Sequence, residues 1–432
     1  MAFTPAFDFV EELKWRGLMH DMIPGTDELL QSERVKAYIG FDPTADSLHI
    51  GNLVPITLLV HFQRAGHIPV ALVGGATGMV GDPSGKSAER NLLDLETLNR
   101  NLEGQKAQLM KFLDFSSSDN AAMMVNNYDW FKDWSFLDFI RDVGKHITVS
   151  YMMGKDSVKN RLEAGGLSFT EFSYQLVQGY DFAHLYKTEG IKLQMGGSDQ
   201  WGNITTGTEL IRRMHGGEAY ALTAPLITKS DGTKFGKSEG GNVWLDPKRT
   251  SPYAFYQFWL NVADEDAVRF IKIYSLKTRA EIEALIAEHT GQEYLRSLQK
   301  ALAEEMTVRV HGQYELDMAL KATAVFFGNG SADDLLALDA PTLEGAFQGL
   351  ETYQISASAL EAGVPVLDLL AVDTPIFPSK GEARKMIAAS GFSFNKNKFT
   401  DPNAAVGADL LLHGRYLLAQ KGKKNYYVIE AV

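Results

Sequence analysis

From Val35 to His215 short β-runs alternate with helical stretches, and this alternation constrains the fold more than any other property of the chain. The segment 35–41 (VKAYIGF) reads as a buried strand and 49–64 as an apolar helix. Residues 68–73 form a second β-run, closed by Gly74-Gly75. Apolar spacing predicts a helix over 93–113, a short strand over 123–125, and further helices over 135–143, 157–162 and 170–185. Residues 193–195 form a strand closed by Gly196-Gly197, and a helix is predicted from about 202 to 215. Elements alternating at these lengths imply an α/β fold with a doubly wound, parallel, Rossmann-like sheet. Ligands on such sheets bind outside the carboxyl ends of the strands.

The pattern changes beyond Lys237. Residues 251–327 read as mostly helical, Gly328-Asn329-Gly330-Ser331 punctuates the chain, and the acidic Ala/Leu-rich stretch to Gly363 reads as a connector. A short helical segment from Val364, a helix over 380–389 and β-like pieces over 416–419 and 426–429 follow, the last two joined by a turn at Gly422. The expected domains are therefore 1–232, 233–328, a linker over 329–363, and a small α+β domain over 364–432. A chain of 432 residues has room for about three domains.

With no cysteine, the chain forms no disulfide and has no thiolate metal site or Cys nucleophile. Met1-Ala2-Phe3-Thr4-Pro5 lacks the basic and apolar regions of a secretory leader. No apolar run reaches the roughly 18 residues that a membrane span needs. The cytoplasm is the expected compartment, with no membrane partner. A net charge of −12 argues against a nucleic-acid partner for the body of the protein. Residues 376–432 depart from it, with nine basic residues against four acids. A basic tail on an acidic body suits a local RNA contact.

Three glycine-containing stretches carry the chemistry. Pro43-Thr44-Ala45-Asp46-Ser47-Leu48-His49-Ile50-Gly51-Asn52 places an imidazole and a glycine where a strand gives way to a helix, and a helix N-terminus favours phosphate. Lys234-Phe235-Gly236-Lys237-Ser238 places two ammonium groups three residues apart on a glycine-rich loop. Cations arriving as pyrophosphate leaves stabilise the transition state rather than the ground state. The stretch 74–87 ends in Gly85-Lys86-Ser87 like a P-loop, but Val80 stands where the first glycine of that motif belongs. Its glycines also miss the GxGxxG spacing. Glycine-rich backbone beneath a nucleotide, with Lys86 and Arg90 following, fits better.

The first and second stretches resemble the HIGH and KMSKS elements of class I aminoacyl-tRNA synthetases. The run 38–51, the block 74–86, Phe169–Tyr174, Gly196–Asn203 and Ser251–Trp259 are similar, in order, to the bacterial tyrosyl members of that family. The resemblance implies activation of L-tyrosine by ATP with Mg²⁺, transfer to tRNA(Tyr), and a homodimer, with no protein-bound metal. It implies that Tyr38 and Asp181 hold the phenol, that Asp82, Tyr174 and Gln178 hold the α-amino group, and that Gln200 lies near the reacting carboxylate. Tyr174, Gln178 and Asp181 recur at i, i+4 and i+7, so a helix presents them on one face. Gly40, Asp42, Gly51, Asn52, Gly197 and Asp199 fall to the ATP site. Thr44 and His49 match γ-phosphate contacts, and Lys86, Arg90, Lys234 and Lys237 match the cations on leaving pyrophosphate. The tail resembles the RNA-binding fold shared with a ribosomal small-subunit protein, with Arg384, Lys385, Arg415, Lys421, Lys423 and Lys424 as RNA contacts. Two departures stand out: Asn52 replaces the second HIGH histidine, and Asn395-Lys396 replaces the usual Asn-Gly turn. A tryptophanyl enzyme, and an RNA-binding relative without catalysis, are the alternatives.

Overall fold

The structure, a computed structural model, describes residues 3–84, 93–116, 119–164, 166–233, 235–238, 241–423 and 425–432. It divides into two compact units, Met1–Arg249 with Phe258–Val310, and Thr250–Gln257 with His311–Val432.

The first unit is built on a six-stranded sheet. Its strands are β1 (Asp21–Met22), β2 (Lys36–Phe41), β3 (Ile68–Val73), β4 (Met123–Asn126), β5 (Leu193–Gly197) and β6 (Tyr220–Ala224), in the spatial order β1-β6-β5-β2-β3-β4. Every pairing is parallel except that of β1 with β6. The chain moves outward from β2 through β3 to β4, then returns to the other side of β2 to form β5. That reversal makes a crevice between the carboxyl ends of β2 and β5. β1 and β6 carry no signal in the sequence reading. β1 is two residues long and β6 follows a helix after only four.

Helices of this unit include α1 (Phe9–Arg16), α2 (Leu53–Arg64), α3 (Leu95–Leu109), α4 (Phe169–Glu189) and α5 (Trp201–His215), of which α2 and α4 line the crevice. α2 begins four residues later than the apolar pattern implied, because Ile50–Asn52 first makes a 3₁₀ turn. α4 is set at its start by a capping box between Ser168 and Glu171 and stopped by Gly190 at φ 67°. Further along the chain come α6 (Asp264–Tyr274) and α7 (Ser297–His311).

The carbonyls at and beyond the end of α6 are bound by three guanidinium groups. Arg16 of α1 donates to Lys272 O at 2.7 Å and Ser275 O at 2.6 Å, Arg64 of α2 to Leu276 O at 2.7 Å, and Arg309 of α7 to Tyr274 O at 2.5 Å. Cations suit this end of a helix, where carbonyls lack intrahelical partners. α1, α2 and α7 are thereby tied to α6. Between β6 and α6 a two-stranded ribbon, β7 (Lys237–Ser238) with β8 (Gly241–Asn242), carries the second signature.

In the second unit, β9 (Glu351–Ile355), β11 (Phe392–Phe394), β12 (Asn397–Lys398), β14 (Tyr416–Lys421) and β15 (Asn425–Ala431) form a sheet in the order β12-β11-β14-β15-β9. β10 (Val364–Pro365) pairs separately with β13 (Ala405–Val406). The stretch read as a connector is structured: it holds helices Ala332–Leu336 and Ala340–Phe347, and β9 runs parallel to β15. The β11–β12 turn is made by Asn395 and Lys396, both at positive φ (47° and 67°), so the hairpin adopts the left-handed turn conformation without a glycine. Its core gathers Phe377, Ile387, Phe392, Leu417 and Ile429.

Candidate active site

A cavity of about 540 Å³ opens at the β2/β5 crevice. Tyr38 and Gly40 of β2 line it, as do Asp42 and Thr44 just beyond, and Tyr174, Gln178 and Asp181 enter from one face of α4. Asp82 comes from the loop after β3, and Gly197, Asp199 and Gln200 from the end of β5. His49, Gly51 and Asn52 complete the lining from the turn before α2. All fourteen expected ligand-site residues with described side chains, or no side chain, therefore meet at one cavity. Lys86, Arg90 and Lys234 lie outside the described residues, as does Lys424. Of Lys237 the backbone is described, in β7.

One wall is a polar network around three carboxylates. Asp181 accepts from Trp130 Nε1 at 2.9 Å and from Asn127 Nδ2 at 3.1 Å. Burial raises its pKa to about 8, and these two donors act against that rise. Tyr38 is 1% exposed, and among the described residues its hydroxyl has no hydrogen-bond partner. Burial, with Asp181 nearby, pushes its pKa well above the usual phenol value. An orphaned buried hydroxyl is costly, and a ligand group that meets it removes the cost. Asp42 accepts from Tyr174 Oη at 2.8 Å and Thr77 Oγ1 at 2.7 Å. Asp82 accepts from Gln200 Nε2 at 2.7 Å and from the Ser84 N–H at 3.0 Å.

Asn127, Trp130, Thr77 and Asn203 were missing from the sequence reading of the site. Asn127 and Trp130 follow β4, so the strand-end rule that located the other groups was the available signal. Asn203 stands within a quoted motif, but its position in sequence gives no hint of its partners.

The turn before α2 is held by reciprocal caps. The Gly51 N–H donates to His49 Nδ1 at 3.1 Å, and Asn52 Oδ1 accepts from the His49 N–H at 3.0 Å. With Nδ1 accepting, a neutral His49 carries its proton on Nε2. Asn52 thus has a structural duty that its carbonyl oxygen performs, independent of any charge.

The second signature is pinned against the first. Backbone bonds run from Ile50 N to Val243 O (2.9 Å), from Leu245 N to Leu48 O (2.9 Å) and from Val243 N to Gly236 O (3.1 Å). Phe235 is buried among Phe258, Trp259, Phe270 and Tyr274, with ring centroids 4.6 to 5.6 Å away. Gly236 adopts φ 96°, and a Cβ there would stand 2.8 Å from Ile50 Cγ2. Both its conformation and its surroundings select glycine.

In the second unit, Arg384 and Lys385 are exposed on the helix Lys380–Ala388, and Lys423 is exposed in the β14–β15 turn. Arg415 is bound to Glu430 at 2.7 Å and Glu344 at 3.3 Å. Lys421 donates to Ile376 O at 3.0 Å and covers the Phe377 ring. Among the described residues Arg384 makes only a long contact, from Nη1 to Asn403 Oδ1 at 3.5 Å.

Residues 30–328 match the model of tRNA synthetases class I (W and Y), and residues 342–429 match that of the tyrosine–tRNA ligase SYY-like C-terminal domain. The chain is 61% identical over 428 residues to a tyrosine–tRNA ligase of Bacteroides fragilis, covering 98% of this chain and 100% of that one. It is 61% identical over 426 residues to one from Porphyromonas gingivalis, with 98% and 99% covered. Among solved structures, a C-terminally truncated mitochondrial tyrosyl-tRNA synthetase of Aspergillus nidulans superposes with a TM-score of 0.65 at 32% identity. That match covers 72% of this chain and 92% of the other.

Proposed function

The chain belongs to the class I tRNA synthetases of the tryptophan and tyrosine branch, and we propose that the β2/β5 cavity is where it activates tyrosine with ATP. It is a ligase that joins tyrosine to tRNA, driven by ATP. The observation that carries the tyrosine assignment of this cavity is that its wall holds both the Tyr38 hydroxyl, which has no hydrogen-bond partner among the described residues, and the buried Asp181 carboxylate. A phenol meets both: it accepts from Tyr38 and shares a proton with Asp181. An indole offers one N–H and no acceptor.

Asp82, Tyr174 and Gln178 hold the substrate ammonium, and Gln200 lies beside its carboxylate. That carboxylate attacks the α-phosphate of ATP, forming the new O–P bond as the bond to pyrophosphate breaks. ATP enters as its Mg²⁺ complex. Gly40, Asp42, Gly51, Asn52, Gly197 and Asp199 shape the nucleotide seat. Thr44 and His49 reach the γ-phosphate, His49 through the Nε2 proton that its cap enforces. Lys86, Arg90, Lys234 and Lys237 neutralise pyrophosphate as its charge grows. A ribose hydroxyl of the tRNA terminus then attacks the mixed anhydride, releasing AMP. Neither step calls for a protein nucleophile; positioning and charge stabilisation carry both.

Arg384, Lys385 and Lys423 are the proposed RNA contacts in the second unit, with Arg415 and Lys421 exchanging their present partners for phosphate. A homodimer is supported by the exposed apolar side chains of Phe136, Leu137 and Ile140 on the helix Phe136–Asp142 and of Val149 and Met153 on the helix Val149–Met153, of which Leu137 is 76% exposed. Among the described residues no helix is long and apolar enough to cross a membrane. Supplying charged tRNA to translation puts the proposed place of work in the cytoplasm. ATP–pyrophosphate exchange with L-tyrosine, L-phenylalanine and L-tryptophan tests the reading. Exchange with tyrosine alone is expected, whereas exchange driven by tryptophan would overturn the phenol assignment.

A further inference from the structure

The polar wall of the cavity converges on a side chain that does not line it. Asn203, in the first turn of α5, is 3% exposed. Its Nδ2 lies 3.1 Å from Gln178 Oε1, 3.3 Å from Gln200 Oε1, 3.4 Å from Asp82 Oδ1 and 3.4 Å from Ser84 Oγ. These acceptors come from three places far apart in sequence: α4, the turn after β5, and the loop after β3. An amide NH₂ has two protons, so the four acceptors share them at long distances.

The polarity of this arrangement matters more than its strength. A glutamine side chain can be turned end for end with little change of shape, exchanging a carbonyl for an NH₂. Asn203 presents donors to both Gln178 and Gln200, so each must turn its oxygen toward it; the reverse orientation would bring NH₂ against NH₂. For Gln178 this fixes the carbonyl on the side shared with Asp82, and that oxygen retains a second lone pair for another donor. For Gln200 it turns Nε2 away from Asn203, where it donates to Asp82 Oδ2 at 2.7 Å.

We infer that Asn203 is a positioning residue that sets the orientation of the Gln178 amide, making it an acceptor for the substrate ammonium, while the Gln200 amide that it also meets is held besides by Asp82 Oδ2 at 2.7 Å and Asp199 Oδ2 at 3.4 Å. The inference rests on the tyrosine-activating reading of the cavity. It adds that the ammonium seat depends on a residue that never touches substrate. Without the Asn203 donors, Gln178 can present N–H to an ammonium group, a repulsive contact in a buried place.

Three ligands separate this role from a merely structural one. Tyramine carries the phenol and ammonium without a carboxylate, 3-(4-hydroxyphenyl)propionate the phenol and carboxylate without ammonium, and L-tyrosine all three. Asn203→Ala removes the donors, and Asn203→Asp keeps the size while replacing donors with acceptors. Calorimetric titration of the full-length protein is expected to show tyramine and tyrosine binding weakened about tenfold in both variants, the size of one misdirected hydrogen bond. Binding of the propionate should stay within about threefold, because it has no ammonium group and Gln200 keeps its bonds to Asp82 and Asp199. If Asn203 merely fills space, Asn203→Asp will bind tyramine like the unaltered protein, or all three ligands will weaken in parallel; either result overturns the inference. Should Asn203→Ala fail to fold, the isosteric Asp variant decides alone. Failure of the unaltered protein to bind tyrosine would instead sink the reading of the cavity.

Discussion

Replacing Tyr38 by phenylalanine should move stability and catalysis in opposite directions. The hydroxyl is buried at 1% exposure and has no hydrogen-bond partner among the described residues. Leaving a buried hydroxyl unsatisfied costs about 1–3 kcal/mol, so the Phe variant should be more stable than the parent in the absence of ligand by up to that amount. Its ring contacts survive, including the edge-on contact with Phe182 at 5.5 Å. The same hydroxyl is the proposed donor to the substrate phenol, and a neutral hydrogen bond contributes about 0.5–1.5 kcal/mol net. That converts to roughly 2- to 12-fold in kcat/KM for tyrosine. For phenylalanine, which has no hydroxyl to satisfy Tyr38, kcat/KM should hold or rise, so discrimination narrows. Thermal unfolding without ligand and pyrophosphate exchange with both amino acids read the two effects. A Tyr38→Phe protein that melts lower and loses activity equally toward both substrates would refute the reasoning, because the hydroxyl would then be serving the fold.

Other outcomes can be checked independently. Gly236→Ala forces a side chain onto φ 96° and against Ile50; about 1–3 kcal/mol of local strain should displace the loop carrying Lys237. Exchange should slow about tenfold or more while the Kd for tyrosine by equilibrium dialysis holds. Asp181, with its pKa raised to about 8, is protonated in the fold and ionised in the unfolded chain between about pH 4 and pH 8. The native state binds the extra proton there, so stability falls as pH rises, by at most about 1.4 kcal/mol per pH unit. Denaturant unfolding of Asp181→Asn across that window should show a flatter slope than the parent. Deleting 349–432, which removes β9 together with its sheet, should leave tyrosine-dependent exchange within about threefold and cut tRNA charging by more than tenfold. Equal loss of both would mean that adenylate formation needs the second unit.

Strands β2 to β5 and the cavity were legible for a physical reason: both follow local periodicity. β2, β3 and β5 are apolar runs ending in glycine or a polar turn, and the α4 stripe of Tyr174, Gln178 and Asp181 is a helical spacing. Groups that act through distant partners left no such trace. Trp130 and Asn127 hold Asp181 from about fifty residues away, and Asn203 matters because of where α4 and the β3 loop arrive. The supposed connector shows the same limit from the other side. Glu351–Ile355 is short and lies in a helix-rich acidic stretch, and its partner in the sheet lies more than seventy residues later. Phe235 was read as part of a loop bearing two lysines; its burial in an aromatic box makes it the anchor of that loop.

β15 sits inside its sheet, between β14 and β9, and its pairing with β9 runs from Tyr427 to Ala431. β9 thus joins the sheet through residues more than seventy positions away in sequence, whereas β14 and β15 meet across a short turn. Closing that long loop is the slower step, so the hairpin forms first and β9 docks onto it last. Until it docks, the outer edge of β15 is unpaired, and an edge of that kind is open to pairing with other chains.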